Sequence, residues 1–181
     1  MGNALSRLIS SLFGEKEVRI LILGLDNAGK TSILYRLKEG TFHSTVPTIG
    51  FNAEQIEVGK LKAQVWDLGG QESIRPYWRS YYQEQEAVIF VVDSCDANRM
   101  QIAKRELMNI IEEEELKNAV VCVFANKQDM PEALSAAEIA EALGLSSIVD
   151  KKWTIIATSA LRGDGLKEGF EWISDSIKTK A

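Results

Sequence analysis

Four short runs of apolar residues limit the fold of this chain more than any other feature. Each run is rich in β-branched side chains and is apolar at successive positions, which is typical of strands covered by helices on both faces of a parallel sheet. The runs are residues 18–23, 87–93, 119–125 and 153–157. Segments with helical patterns lie between and after them, among them residues 30–40, 99–117 and 166–180. This alternation predicts a doubly wound α/β fold.

One pair of segments departs from that pattern. Residues 52–58 and 61–68 alternate apolar and polar side chains, and Gly59-Lys60 joins them. A two-residue link that contains glycine is typical of a β-hairpin turn. We therefore expect an antiparallel hairpin at one edge of the otherwise parallel sheet.

Length and charge narrow the functional classes. The 181 residues suffice for one domain of ordinary size. A net charge of −5 argues against a nucleic-acid partner, because nucleic-acid binding calls for a basic surface. Cys122 lies inside an apolar run, Cys95 follows another such run by two residues, and the chain has no other cysteine, so we expect free thiols in a reducing cytosol. No apolar run is long enough to span a bilayer and no secretory signal is evident, which together predict a cytoplasmic protein.

The first sixteen residues have a pattern of their own. Gly2 follows Met1 and precedes Ser6 at the spacing of an N-myristoylation signal. An apolar stripe at helical spacing comes next, formed by Leu5, Leu8, Ile9, Leu12 and Phe13. A single myristoyl chain binds membranes only marginally, so the stripe would supply a second anchor. We expect a lipidated helical arm at 1–16 ahead of a globular domain at 17–181; a helix packed permanently on the domain is the alternative.

The segment that follows the first apolar run predicts a phosphate site. Gly24, Gly29, Lys30 and Thr31 match all fixed positions of the phosphate-loop pattern between a strand and a helix. Backbone N–H groups of such a loop cradle phosphates, its lysine reaches the β- and γ-phosphates, and its threonine hydroxyl binds Mg²⁺. The alternative is a glycine-rich turn that begins an ordinary helix. The candidate nucleotide-binding residues here are Gly24, Leu25, Asp26, Asn27, Ala28, Gly29, Lys30, Thr31 and Ser32.

A second motif favours guanine over adenine. Asn126, Lys127 and Asp129 follow the third long apolar run. The Asp129 carboxylate can accept hydrogen bonds from N1–H and the 2-amino group of guanine, a pair that adenine lacks. Ser159 and Ala160 follow the last run and could add backbone contacts to the base.

Two further segments supply groups for the γ-phosphate. Asp67 can hold Mg²⁺ through water, Gly70 can bring its N–H to the γ-phosphate, and Gln71 can orient the attacking water. Thr48 offers a second hydroxyl to the metal, so the metal candidates are Thr31 and Thr48. A plain loop is the alternative for the Thr48 segment.

Taken together, these motifs resemble the small GTPases, and among them the ADP-ribosylation factor family. The resemblance covers nearly the whole chain, and it is strongest for its ADP-ribosylation factor-like members of the trans-Golgi. The stretches that carry it are GLDNAGKT, PTIGFN, WDLGGQ, RPYW, NKQD and MGNALS. It implies a P-loop NTPase small G domain, with a six-stranded, mostly parallel sheet, one antiparallel edge strand, and five helices distributed over both faces.

The resemblance also implies partners. A nucleotide exchange factor would exchange GDP for GTP, and a GTPase-activating protein would speed hydrolysis. Phe51, Trp66 and Tyr81 would form an apolar effector patch for GRIP-domain golgins, although from their sequence context alone Trp66 and Tyr81 would be core residues. Asp26 stands where Ras-type members have glycine, and Leu161 replaces the lysine or threonine common in the base-contacting loop.

Three functions fit these residues to different degrees. A slow, regulated GTPase that switches between GDP and GTP states to recruit effectors to Golgi membranes fits best, since Gln71 argues for hydrolysis. A GTP-dependent binding module whose hydrolysis plays no role is the alternative. A nucleotide kinase or ATPase is disfavoured by Asp129 and by the lack of an evident second-substrate lid. We also expect GTP to shift the hairpin 53–67, because it links Thr48 to Gly70, and thereby to expel the arm.

Overall fold

A computed structural model describes residues 17–46 and 48–178 of the chain. The strands are β1 Val18–Gly24, β2 Phe51–Val58, β3 Leu61–Leu68, β4 Ala87–Asp93, β5 Val120–Asn126 and β6 Trp153–Ala157. The α-helices are α1 Lys30–Glu39, α2 Met100–Glu112, α3 Ala136–Leu143 and α4 Leu166–Lys178. Short 3₁₀ helices cover Arg75–Tyr81, Ala97–Arg99, Glu114–Leu116 and Leu145–Ser147. If the longest 3₁₀ helix is added to the α-helices, the described part of the chain holds the five helices that the resemblance implied.

The strands form one six-stranded sheet in the order β2-β3-β1-β4-β5-β6. Every neighbouring pair is parallel except β2 and β3, which run antiparallel with Val58 opposite Leu61 across the turn. Because β2 lies at the edge, the predicted hairpin, the mixed sheet and the α/β fold are all confirmed.

Helices cover both faces of the sheet, which explains the continuous apolar strands. Successive strand residues point to opposite faces, so each central strand contributes side chains to two hydrophobic cores, one on each face of the sheet. Leu21 and Phe90 belong to the core that packs with α2 and α3. Ile22 and Phe124 belong to the core that packs with α1 and α4, where Phe124 meets Phe170 with ring centroids 6.4 Å apart. Both cores are fully buried at these positions, so the sheet is a rigid base for the loops at its ends.

Several expectations meet the structure differently. The helix expected over 99–117 ends at Glu112, before a 3₁₀ turn, because repeated glutamates are unfavourable at the negative end of a helix dipole. Cys122 is buried and Cys95 is half-buried, and both are free thiols. None of the helices in the described ranges is long and apolar enough to cross a bilayer. Gly2 and the arm at 1–16 lie outside the described residues, so the boundary at residue 17 remains a prediction.

Candidate nucleotide site

A cavity of about 450 Å³ opens at the carboxyl ends of the strands. The strand order reverses around β1, whose neighbours β3 and β4 come later in the chain, and ligands of such sheets bind at a reversal of this kind. Thirteen predicted site residues line the cavity: Asp26, Asn27, Gly29, Lys30, Thr31, Ser32, Thr48, Gly70, Gln71, Asn126, Lys127, Asp129 and Ala160. The other predicted residues do not line the cavity and are buried or at a strand end: Gly24, Leu25, Ala28, Asp67 and Ser159.

The phosphate loop turns sharply into α1 at Gly29. This residue has φ of 100°, and a Cβ there would lie 2.3 Å from the side-chain nitrogen of Asn126. The same Asn126 Nδ2 donates to the Ala28 carbonyl oxygen at 2.9 Å. Only glycine allows both the left-handed backbone and this approach, so the first residue of the NKQD motif fixes the shape of the phosphate loop.

Lys30 lies beneath the loop rather than in solvent. Its Nζ donates to the Leu25 carbonyl oxygen at 2.9 Å. Burial lowers the pKa of Lys30 from 10.5 to about 8, against the opposing attraction of Asp67 and Asp26. A phosphate placed beside the ammonium group would favour its charged form, so the site is prepared for an anion.

Three oxygen-bearing side chains meet beside Lys30. The Thr31 hydroxyl donates to Asp67 Oδ2 at 2.5 Å and lies 2.8 Å from the Thr48 hydroxyl. Burial raises the pKa of Asp67, while the bond from Thr31 lowers it. Asp67 Oδ1 is buried and has no hydrogen-bond partner among the described residues. Hydroxyl and carboxylate oxygens suit Mg²⁺, and an unpaired buried oxygen suits a water bound to that ion, so these residues fit the predicted metal.

The other end of the cavity carries the base-recognition residues. Asp129 Oδ1 accepts a hydrogen bond from Ser159 Oγ at 2.6 Å, which orients the carboxylate. Lys127 Nζ lies 2.7 Å from Asp93 Oδ2. Asn126 Oδ1 accepts from the Ala160 N–H at 3.1 Å, and the Ser159 N–H donates to Asp164 at 3.1 Å. The Ser159 N–H is thus bonded within the loop and the Ala160 N–H is bonded to the end of β5, and their contact with a base stays a prediction.

Gly70 and Gln71 follow the end of β3. The Asp26 N–H donates to the Gly70 carbonyl oxygen at 3.1 Å, and a Cβ on Gly70 would lie 2.5 Å from Asp26 N. Gln71 follows directly and also lines the cavity, as does Thr48. The structure therefore brings the predicted γ-phosphate residues to one end of the cavity.

Three aromatic rings form a separate cluster on the hairpin edge. The ring of Phe51 lies 5.5 Å from those of Trp66 and Tyr81, which are 5.8 Å from each other. Phe51 is half-exposed, whereas Trp66 and Tyr81 are partly buried against the core. Both interpretations from sequence thus hold in part: the inner rings pack on the core, and the outer ring gives an apolar surface. Their effector role stays a prediction.

The motifs assign no role to several residues of the site. Phe42, Ser44, Thr45, Val46, Met130 and Leu161 also line the cavity. Asp93 pairs with Lys127 and could have been noticed, since it ends an apolar run at the same sheet edge. Arg99 contacts Asp26 of the phosphate loop, and Arg75 contacts Gly70 in the segment after β3. No sequence motif links these arginines to their partners.

Comparison with known proteins gives a consistent result. Residues 5–177 match the ADP-ribosylation factor family. The chain is 57% identical over 179 residues to ADP-ribosylation factor 1 of Brassica rapa, covering 99% of this chain and 98% of that protein. It is 56% identical over 179 residues to ADP-ribosylation factor-like protein 1 of Saccharomyces cerevisiae, covering 98% of each. The solved Arl6 small GTPase of Trypanosoma brucei, with the bound nucleotide analogue GppNp, superposes with a TM-score of 0.85 at 33% identity, covering 92% of this chain and 100% of that one.

Proposed function

This chain belongs to the ADP-ribosylation factor family of small GTPases, which bind and hydrolyse GTP, and from that premise we propose that it is a Mg²⁺-dependent membrane switch of the ADP-ribosylation factor-like protein 1 type. Like the family in general, it works with a nucleotide exchange factor and a GTPase-activating protein. In the GTP state it recruits effectors, GRIP-domain golgins among them, to trans-Golgi membranes during vesicular and protein transport. The bound nucleotides are GDP and GTP.

One observation supports the switch above all others. Thr31 from α1, Thr48 from the segment before β2, and Asp67 from β3 meet within hydrogen-bond distance. Three separate segments therefore meet where the metal and the terminal phosphate would lie. Loss of that phosphate would remove a common partner of Thr48 and Gly70, so the hairpin between them would respond to the nucleotide.

The experiment that tests the proposal is calorimetry with GDP, GTP and ATP, with and without Mg²⁺. We expect heats of binding for the two guanine nucleotides, tighter with Mg²⁺, and none for ATP. Equal heats with ATP and GTP would contradict guanine recognition by Asp129. An absence of heat with either guanine nucleotide would overturn the proposal as a whole.

Hydrolysis depends on Gln71 in this proposal. The attacking water forms a bond to the γ-phosphorus while the bond from γ-phosphorus to the bridging oxygen breaks, which leaves GDP and phosphate. Unassisted turnover should be on the order of 10⁻⁴ to 10⁻³ s⁻¹.

Gln71→Leu should retain GTP binding and lower activator-stimulated turnover by about a hundredfold or more, measured as released phosphate. Unchanged stimulated turnover would contradict the role of Gln71. If the variant and its parent recruit effectors equally and release them at the same rate, the alternative of a binding module whose hydrolysis plays no role would gain support.

Membrane attachment is proposed to follow the nucleotide. The lipidated Gly2 and the apolar stripe of the arm would be sheltered with GDP and released when GTP shifts the hairpin. Co-sedimentation of the myristoylated protein with phosphatidylcholine liposomes should show more binding for the GTP form than for the GDP form. Equal binding of the two forms would rule out this coupling.

The aromatic cluster is the proposed effector surface. Tyr81→Ala should remove one ring from the cluster and weaken capture of the GTP form by a GRIP domain, without a change in nucleotide affinity. Tyr77→Ala is the matched control, since Tyr77 is a highly exposed tyrosine of the same 3₁₀ helix. Equal capture of the parent and the Tyr81 variant would contradict the assignment.

A further inference from the structure

A carboxylate stands inside the phosphate loop. Asp26 lines the cavity between Gly24 and Gly29, where its negative charge would lie near the phosphates of a nucleotide. The negative charges of Asp26 and of the phosphates would repel one another, so the loop needs a cation that neutralises Asp26. Arg99 provides it: Nη1 donates to Asp26 Oδ1 at 2.7 Å and Nη2 to the Asp26 carbonyl oxygen at 2.9 Å. One guanidinium group thus holds both the side chain and the main chain of the loop.

Arg99 is itself held in place. It ends the 3₁₀ helix Ala97–Arg99, directly before α2. Its Nε donates to Asp96 Oδ2 at 2.6 Å, and its backbone N–H donates to Asp96 Oδ1 at 3.3 Å. The planar guanidinium therefore uses its nitrogens on two carboxylates at once, a geometry that lysine does not reproduce. Through Asp96 and Arg99, the start of α2 supports the phosphate loop.

A second arginine, Arg75, also lies near the Asp26 carboxylate. Arg75 Nε donates at 2.9 Å to the Gly70 carbonyl oxygen, the same atom that accepts the Asp26 N–H. Its Nη2 lies 3.7 Å from Asp26 Oδ1, and its Nη1 lies 3.5 Å from Glu106 Oε1 on α2. The side chain of Arg75 is only 10% exposed. Unlike Arg99, Arg75 thus contacts Gly70 as well as Asp26, and it links both residues to α2 through Glu106.

We propose that Arg99 and Arg75 are positioning residues with different tasks, a proposal that rests on the proposed function. Arg99 holds the phosphate loop in shape whichever nucleotide is bound, because its contacts go to Asp26 and Asp96. Arg75 holds Gly70 against that loop and matters only when a γ-phosphate is present, because Gly70 is the predicted γ-phosphate contact. Neither residue touches the nucleotide in this assignment.

Nucleotide dissociation separates the two tasks. The rates would be measured by stopped-flow with fluorescent GDP and fluorescent GppNp in Mg²⁺ buffer. Arg99→Gln should speed the loss of both nucleotides by about tenfold, since it removes charge-assisted hydrogen bonds to the loop. Arg75→Gln should speed the loss of GppNp by about tenfold and leave the loss of GDP within about twofold. A general loss of stability would not produce this split between the two nucleotides.

Arg105→Gln is the matched control. Arg105 lies on α2, the helix that follows Arg99 and carries Glu106; its side chain is 65% exposed, and its Nη2 is 3.9 Å from Glu106 Oε1. It should leave both rates unchanged. Arg99→Lys keeps the charge without the planar fork, so its rates should fall between those of the parent and Arg99→Gln. This variant also carries the test of Arg99 if thermal unfolding shows that Arg99→Gln does not fold.

Two results would overturn the proposal. The first is an Arg99 variant that releases GDP at the parent's rate. The second is an Arg75 variant that speeds the release of GDP and GppNp equally, because Arg75 would then support the loop in general. A parent chain that binds neither nucleotide would instead contradict the proposed function, so the two failures are distinguishable.

Discussion

The two ends of the cavity are built in different ways. At the base end, Asn126 is buried and takes part in bonds with Ala28, Thr158 and Ala160. At the phosphate end, Thr48 is partly exposed and its neighbour Ile49 is 89% exposed. One end is therefore fixed by contacts among strand ends and buried loops, while the other depends on a segment with few packing contacts.

This difference indicates how recognition and switching can share one cavity. A base site fixed by internal hydrogen bonds can discriminate guanine without rearranging. A phosphate end that joins weakly packed segments can take two arrangements, since segments with few buried contacts open at low free energy. The following variants test whether the two ends behave independently.

The largest effect is expected at the base end. Asp129→Asn removes the carboxylate that would accept two guanine protons, and it should lower affinity for both GDP and GTP by about a thousandfold. Its amide can instead donate to the 2-oxo group of xanthine, so affinity for xanthosine diphosphate should rise. Calorimetry with the three nucleotides checks both changes. An unequal loss for GDP and GTP would contradict independent ends.

A smaller and unequal effect is expected at the metal. Thr31→Asn removes the hydroxyl that contacts both Asp67 and Thr48. We expect GTP to dissociate about tenfold faster or more, with a smaller change for GDP, because Thr48 would be lost from the metal. Dissociation rates at several Mg²⁺ concentrations measure this. Thr41→Asn, a change at an exposed threonine beyond α1, is the control; equal changes in the two nucleotides' rates for Thr31→Asn would refute the metal assignment.

Lys30 predicts a pH dependence at the phosphate end. The pKa of Lys30 is lowered by burial to about 8, and bound phosphates would raise it. Binding above pH 8 must then take up a proton, so affinity for GDP should fall with rising pH, at most about tenfold per pH unit. Calorimetry from pH 7 to pH 9.5, in buffers of different ionisation enthalpy, counts the protons. A constant affinity across this range would contradict the shift.

The same lowered pKa affects the protein without nucleotide, with a definite sign. The unfolded chain binds one proton at Lys30 up to about pH 10.5, while the folded chain releases it near pH 8. Between these values the unfolded state binds more protons, so this group contributes stability that increases with pH and is absent below pH 8.

The smallest effect is expected behind the base loop. Arg36 of α1 donates to the carbonyl oxygens of Leu161 at 3.3 Å and Arg162 at 2.9 Å. Because these bonds are exposed, Arg36→Gln should speed dissociation of GDP and GTP only about threefold, and equally. Lys167→Gln, at an exposed lysine of α4, is the control. A change that affects GTP alone would show that α1 transmits the state of the phosphate end to the base end.

Much of this arrangement could be predicted from the sequence, and for local reasons. Continuous apolar runs imply strands covered on both faces, and Gly59-Lys60 implies a tight turn at the hairpin. A motif such as GLDNAGKT can be recognised from the sequence because its defining residues are close together: Gly29 allows the left-handed backbone, and Lys30 follows it directly. The resemblance to known small GTPases, confirmed by the comparisons, extended this to the number of strands.

Contacts between distant residues were not predictable in the same way. The bond between Arg99 and Asp26 joins residues 73 positions apart, and no spacing rule connects them. The partners of Asn126, the burial of Lys30 and the cluster of Phe51, Trp66 and Tyr81 also depend on how strand ends meet.

The sequence by itself therefore determined the six strands, three of the four described α-helices, the guanine-nucleotide motifs and the candidate residues, since these depend on periodicity and short-range chemistry. Tertiary structure alone decided which charges neutralise one another and which groups are buried, because the packing of the parallel strands sets those distances. Asp26 shows the division: its place in the phosphate loop is plain in the sequence, while its two arginine neighbours are brought to it only by the fold.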